Sequence, residues 1–155
     1  MITKSQIQIL EKIFSRNKLN GDLIANVFFN YLFSLRPILW LLLYKKIRVH
    51  RKRFAKLLHQ TIHAPTQLGE GSPILEAIGC ENALDGIRLE DYELAKTAFL
   101  FTLEQFLDDE FTPEVKATSA AVFETVTQKM ARAANKLGDV LSLEDVSSFK
   151  REIVH

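Results

Sequence analysis

Apolar residues recur every three or four positions along almost the whole chain, and no stretch alternates with the period of two that a half-buried strand requires. The pattern predicts an all-α protein. Thr3 stands where it would cap a first helix whose Ile7, Leu10, Ile13 and Phe14 share one face. Asn20-Gly21-Asp22 opens a second, with Leu23, Ile24, Val27, Phe28, Tyr31 and Leu32 at helical spacing. Pro37 begins a short third piece, PILWLLLY, because proline suits a first helical turn and disfavours helix at the residue before it.

A fourth helix is expected from about residue 46 to 63, with Ile47, His50, Phe54, Leu57, Leu58 and Thr61 on one side. APTQLGEG then reads as the longest loop. Ser72-Pro73 starts a short fifth helix through Ile74, Leu75 and Ile78, which Asp85-Gly86 should end. A sixth, over Leu89–Leu107, has apolar residues on most of its circumference. Thr112-Pro113-Glu114 supplies cap, proline and first-turn acid for a seventh, running to about residue 136. Beyond Leu137-Gly138-Asp139, Ser142 is placed to cap a loosely packed last helix with Leu143, Val146, Phe149 and Ile153.

The 155 residues, 47% hydrophobic, suit one domain over 1–155, with a helical core at about 3–136 and a helical extension at about 139–155. No internal repeat is visible. Cys80 is the only cysteine, which excludes an intramolecular disulfide and a multi-cysteine zinc site and suits a reducing cytoplasm. MITKSQIQILEKIF reads as an amphipathic helix rather than a signal peptide, so a cytoplasmic location is expected.

The net charge of +1 hides an asymmetry: residues 1–63 carry 12 Lys and Arg against two acids, and residues 64–155 carry eight against 17. Within one domain the two halves are expected to attract each other. Residues 23–44, LIANVFFNYLFSLRPILWLLLY, are apolar enough to raise the question of a membrane span. Asn26, Asn30 and Ser34 fall along this stretch and Arg36-Pro37 interrupts it, which argues against spanning. Seven Lys or Arg at positions 45–56 leave peripheral membrane contact through that segment as a weaker reading. Nucleic acid is not expected as a partner, since the basic run has only Phe54 as an interleaved aromatic.

Two motifs, FFNYLFSLRP and FTPEVKA, together with the order of the predicted helices, resemble bacterial single-domain globins and the globin module of flavohaemoglobins over roughly residues 3–136. The resemblance implies a globin-like fold of about seven to eight helices, packed at about 50° around a haem pocket. It also implies which positions would line that pocket. The histidine that binds haem iron in these globins stands ten residues before the tyrosine of the sixth helix; counting back from Tyr92 gives Asn82. No histidine lies between residues 64 and 154, and an amide is a poor iron ligand beside an imidazole.

By the same resemblance Leu43 takes the place of a phenylalanine that packs on haem, and Phe29 that of the distal tyrosine. His50 falls at the distal Gln or His position, with Phe54 one turn later also pointing inward. Were haem b to bind, His50 would be its axial metal ligand and Cys80 a poorer second; otherwise His50 reads as a half-exposed residue among Arg48, Arg51, Lys52 and Arg53. Cys80 reads otherwise as a small buried hydrophobe. His59 and His63, spaced i and i+4, lack a third ligand and read as a surface pair.

No nucleophile elbow, P-loop, dinucleotide fingerprint or HExxH motif occurs, and the carboxylates of LEDYE and LDDEFTPE read as helix-start and solvent-facing groups, so an enzyme is not expected. The resemblance without its iron ligand implies a haem-free globin that senses, binds an apolar ligand or engages a protein. Phe28, Phe29, Leu43, Phe54, Ile78 and Phe99 would line the pocket, around a fatty-acid-like molecule or closed on themselves. The basic start of the fourth helix would meet a carboxylate head. The last two long helices are a frequent globin dimer surface, which makes a homodimer or a protein partner the other expected association. The alternative is a haem protein that handles oxygen, nitric oxide or electrons through His50.

Overall fold

The computed structural model describes residues 2–69 and 71–140. The last helix expected from the sequence, at 142–155, lies outside these residues. All the regular structure among them is helical: α1 (Lys4–Arg16), α2 (Gly21–Leu35), α3 (Ile38–Leu43), α4 (Ile47–His63), α5 (Pro73–Leu84), α6 (Leu89–Leu107) and α7 (Pro113–Val140), with short 3₁₀ turns at Tyr44–Lys46, Pro65–Leu68 and Asp108–Glu110.

Four of the helices, α1, α2, α5 and α7, start where a side chain satisfies their free amides. Thr3 and Gln6 form a reciprocal capping box at α1. The Asn20 carboxamide oxygen accepts from the Asp22 and Leu23 amides, at 2.9 and 3.1 Å. Thr112 accepts from Val115 N–H at 3.2 Å. At the end of α5 the chain turns through Gly86, whose φ of +96° is a conformation that an L side chain resists.

Three expectations change. The stretch read as a loop after α4 contains the 3₁₀ turn, and it buries Leu68 to 1% exposure. The break expected near residue 136 does not occur, since α7 continues through Gly138 to Val140; one glycine in a long helix costs only about 1 kcal/mol. On α6, Glu90, Glu93, Thr97, Glu104 and Gln105 make an exposed face, so the helix is buried on one side, by Ala95, Ala98, Phe99, Thr102 and Leu103.

The core has two parts. In the larger, α2 packs across both α4 and α6, and Phe28, Phe29, Leu32, Phe99 and Leu103 meet residues of α1, α3 and α7. The smaller joins α5 to α7 through Leu75, Ile78, Val126 and Met130, with Leu68 beneath them. Charges of the two halves pair across the fold, Arg16 with Glu110 at 3.2 Å, Lys46 with Asp85 at 2.9 Å, and Arg53 with Glu81. Asp91, read from the sequence as a solvent-facing helix-start acid, is buried instead, against Arg36 and the Arg88 amide. Taking either partner from such a pair leaves a buried charge uncompensated.

At Gly79 the backbone of α5 approaches that of α7 closely. A Cβ there would overlap the Met130 carbonyl oxygen of α7 and come within 2.9 Å of the Met130 Cα. On an exposed helix face Gly→Ala stabilises by about 1 kcal/mol through propensity alone. At Gly79 the sign should reverse, because backbone cannot move aside as a side chain does. Gly79→Ala is expected to lower the unfolding free energy by about 1–3 kcal/mol, read from the urea midpoint; an unchanged or raised midpoint would contradict this packing.

Candidate functional site

A cavity of about 150 Å³ lies between α2, α4, α5, α6 and α7. Its wall follows from helical spacing. Phe28, Phe29 and Leu32 come from one face of α2, and Tyr92, Ala95 and Phe99 from one face of α6, while Leu39 and Leu43 close it from α3. The rings interlock: Phe28 stacks on Phe54 at 4.2 Å and meets Phe29 edge-on at 4.9 Å, and Phe99 stacks on Phe123 at 5.1 Å. Such contacts hold rings in fixed orientations and leave an apolar hollow of defined shape.

Of the positions singled out from the sequence, Phe28, Phe29, Leu43, His50, Phe54, Ile78, Asn82, Tyr92 and Phe99 all line this cavity. Cys80 does not. It is half-buried and turned toward α7, with its Sγ 3.7 Å from the Ala133 carbonyl oxygen. His59 and His63 are exposed, with ring centres 4.4 Å apart. They border a second hollow, of about 390 Å³, together with Lys18 and Asp22. No group of three or more metal-ligating side chains occurs among the described residues.

Asn82 faces Tyr92. Its amide Nδ2 donates to the phenol oxygen at 3.3 Å, joining α5 to α6 inside the cavity wall. The phenol is held above its ordinary range, chiefly by burial and secondarily by the nearby Cys80; the donation from Asn82 opposes this. Tyr92 is therefore a neutral hydroxyl at neutral pH.

His50 is 5% exposed, which corrects its reading as a half-exposed residue of the basic helix. Its Nε2 lies 3.1 Å from Asp85 Oδ2, and Asp85 also takes Lys46. Burial pushes the imidazole below its ordinary 6.5; the Asp85 carboxylate pulls it back upward, while Arg53 and Lys46 add to the depression. The neutral ring must then carry its proton on Nε2, since a carboxylate only accepts.

Two cavity groups lack partners. Arg53 gives one guanidinium nitrogen to Glu81, whereas its other terminal nitrogen is buried without a hydrogen bond. The Ser119 hydroxyl, on a residue 1% exposed, is likewise unpaired. The sequence placed Arg53 only among the basic residues of the fourth helix and gave no role to Ser119, although Arg53 carried a signal: His50, Arg53, Phe54 and Leu57 fall at i, i+3, i+4 and i+7, on one helical face. Ser119 and Asp85 carried none, because their surroundings come from other helices.

These residues do not fit haem. The Asn82 amide is committed to Tyr92, the His50 Nε2 carries a proton aimed at Asp85, and the stacked phenylalanines reduce the space to well under the roughly 300–1,000 Å³ of ordinary cofactor pockets. A cavity near 150 Å³ accommodates an apolar molecule about the size of benzene. No protein-family model matches the chain, and no curated protein matches its sequence.

The buried neutral imidazole makes stability depend on pH. The folded state holds His50 below its unfolded value of 6.5, so its contribution is complete above that pH and is lost as pH falls through the lowered folded value. Between pH 7 and 5 the protein is expected to lose more stability than His50→Gln, measured by urea unfolding at each pH. Parallel profiles for the two would contradict a buried neutral His50.

Proposed function

We propose that this chain is a haem-free, globin-like helical protein that binds a small apolar molecule bearing a carboxylate, and that it acts as a sensor or carrier rather than an enzyme. The observation that carries this reading is the aromatic-walled cavity with the unpaired Arg53 nitrogen at its edge. A buried guanidinium N–H without a partner costs free energy, and a ligand carboxylate would recover it through a charge-assisted bond. Arg53 is 25% exposed and so marks where the cavity approaches solvent, whereas Ser119 marks its enclosed end.

The arrangement supports an amphipathic ligand entered tail-first. Its hydrocarbon part would displace nothing polar among Phe28, Phe54, Phe99 and Val122, and its head would stop at Arg53. The competing reading, haem ligated by His50, loses support because that ring is engaged by Asp85. Binding is favoured over catalysis because neither Tyr92, a protonated phenol, nor His50, turned to Asp85, has a nucleophile to activate.

Hexanoate is expected to bind about tenfold more tightly than hexanol in isothermal titration, reflecting one charge-assisted hydrogen bond to a partly buried group. Arg53→Met keeps the apolar stem and removes the charge, so it should erase the preference while leaving hexanol binding in place. Equal affinity for acid and alcohol in the unmodified protein, or no binding of either, would overturn the reading.

A further inference from the structure

Only two residues of α3 serve the core: Leu39 is fully buried and Leu43 is 2% exposed. The rest of this short helix is apolar and faces outward. Ile38 is 46% exposed, Trp40 45%, Leu41 63%, Leu42 42%, and Tyr44, just beyond, 44%. No requirement of the fold explains four large apolar residues turned outward on one short helix, around the i, i+4 pair that packs inward, and contiguous apolar surface of this kind marks a contact with something else.

The patch continues onto the turn between α5 and α6. Leu42 lies against Gly86, with its Cδ2 3.3 Å from where a Cβ would stand, and Leu84 and Leu89, at the two ends of that turn, are 52% and 53% exposed. Lys46, bound to Asp85 at 2.9 Å, clamps the same turn to the start of α4. The exposed leucines therefore form one platform built from two corners of the fold.

Beside it runs a band of positive charge. Lys45, Arg48 and Lys52 are exposed and form no ion pair among the described residues, and Lys45 sits 6.0 Å from the Tyr44 ring centre. Three of the neighbouring carboxylates are already committed, Asp85 to Lys46 and His50, Asp91 to Arg36, and Glu81 to Arg53. No helix among the described residues is long and apolar enough to cross a membrane.

We infer that the α3 corner is a peripheral docking surface for an anionic lipid bilayer, with Trp40, Leu41 and Leu42 entering the headgroup boundary and Lys45, Arg48 and Lys52 resting on lipid phosphates. The composition decides between occupants. Trp and Tyr flanking leucines, with lysines at the rim, match what a lipid interface selects. Protein interfaces, in contrast, are depleted in lysine around their apolar centres. Charge complementarity is direct, since an anionic leaflet attracts each nearby Lys or Arg, and the exposed Glu90 beside Leu89 is outnumbered by Lys45, Arg48 and Lys52. The inference is independent of the cavity and its ligand.

Trp40 is the only tryptophan of the chain, so the unmodified protein reports on its own docking. With vesicles of phosphatidylglycerol and phosphatidylcholine at low salt, the protein should co-sediment and its emission shift to the blue; pure phosphatidylcholine should do neither. Lys45→Ala and Arg48→Ala should each weaken binding about fivefold. Leu41→Asp, at an exposed position that the fold does not need, should weaken it about tenfold and reduce the blue shift. The inference is overturned if the anionic vesicles do not bind, or if binding is indifferent to Leu41→Asp. It is equally overturned if the blue shift follows protein concentration without lipid, which would mean a second copy covers the patch.

Discussion

The contact at Gly79 fixes the geometry on which the cavity depends. With no Cβ at this position, α5 lies against the backbone of α7 at Met130, and the two helices share the small core of Leu75, Ile78, Val126 and Met130. That depth of contact determines how far Ile78 and Asn82 reach toward α6. Asn82, one turn after Ile78, meets Tyr92 at 3.3 Å, so the side of the cavity nearest α5 is closed by a hydrogen bond. A larger residue at 79 would move α5 outward and stretch that bond. The size of the hollow is thus set by a backbone contact in which Met130 is a lining residue and Gly79 is not.

On the opposite side α4 contributes polarity under control. His50 lies in a mostly apolar wall, yet its one donor is spent on Asp85 and its charge is suppressed by burial. Arg53, one turn later, cannot shed its charge and is only half satisfied by Glu81. The two side chains share a helix face but play different parts. One fastens α4 to the turn after α5, and the other leaves a cationic donor beside an aromatic chamber. The same turn carries Leu84 and Leu89 and touches Leu42, which links the internal site to the apolar platform through a single corner of the chain.

Much of the helical layout could be read from the chain because it rests on local chemistry. Thr3, Asn20 and Ser72 accept from amides two or three residues ahead, and such caps need no distant partner. The inward faces of α2 and α6 were legible for the same reason, since periodicity places Phe28, Leu32, Ala95 and Phe99 without knowledge of their neighbours. What depended on long-range pairing was not legible. His50 looked half-exposed because Asp85 lies 35 residues away, and Asp91 looked solvated because Arg36 lies 55 residues away. Gly79 gave no sign of its role, as an α5–α7 contact is invisible in the spacing of either helix. The extent of α7 was underestimated because a Gly-Asp pair is a weak stop when the flanking residues favour helix.

Closure around Asn82, Tyr92 and the phenylalanines suits a small apolar molecule and not a macrocycle. An absorption titration of the purified protein with haemin tests it most directly. Only the broad spectrum of weakly adsorbed haemin is expected, with no sharp one-to-one Soret band and no change on His50→Ala. A sharp, stoichiometric band that His50→Ala abolishes would contradict it, and would mean that His50 leaves Asp85 and that the aromatic cluster opens to admit haem.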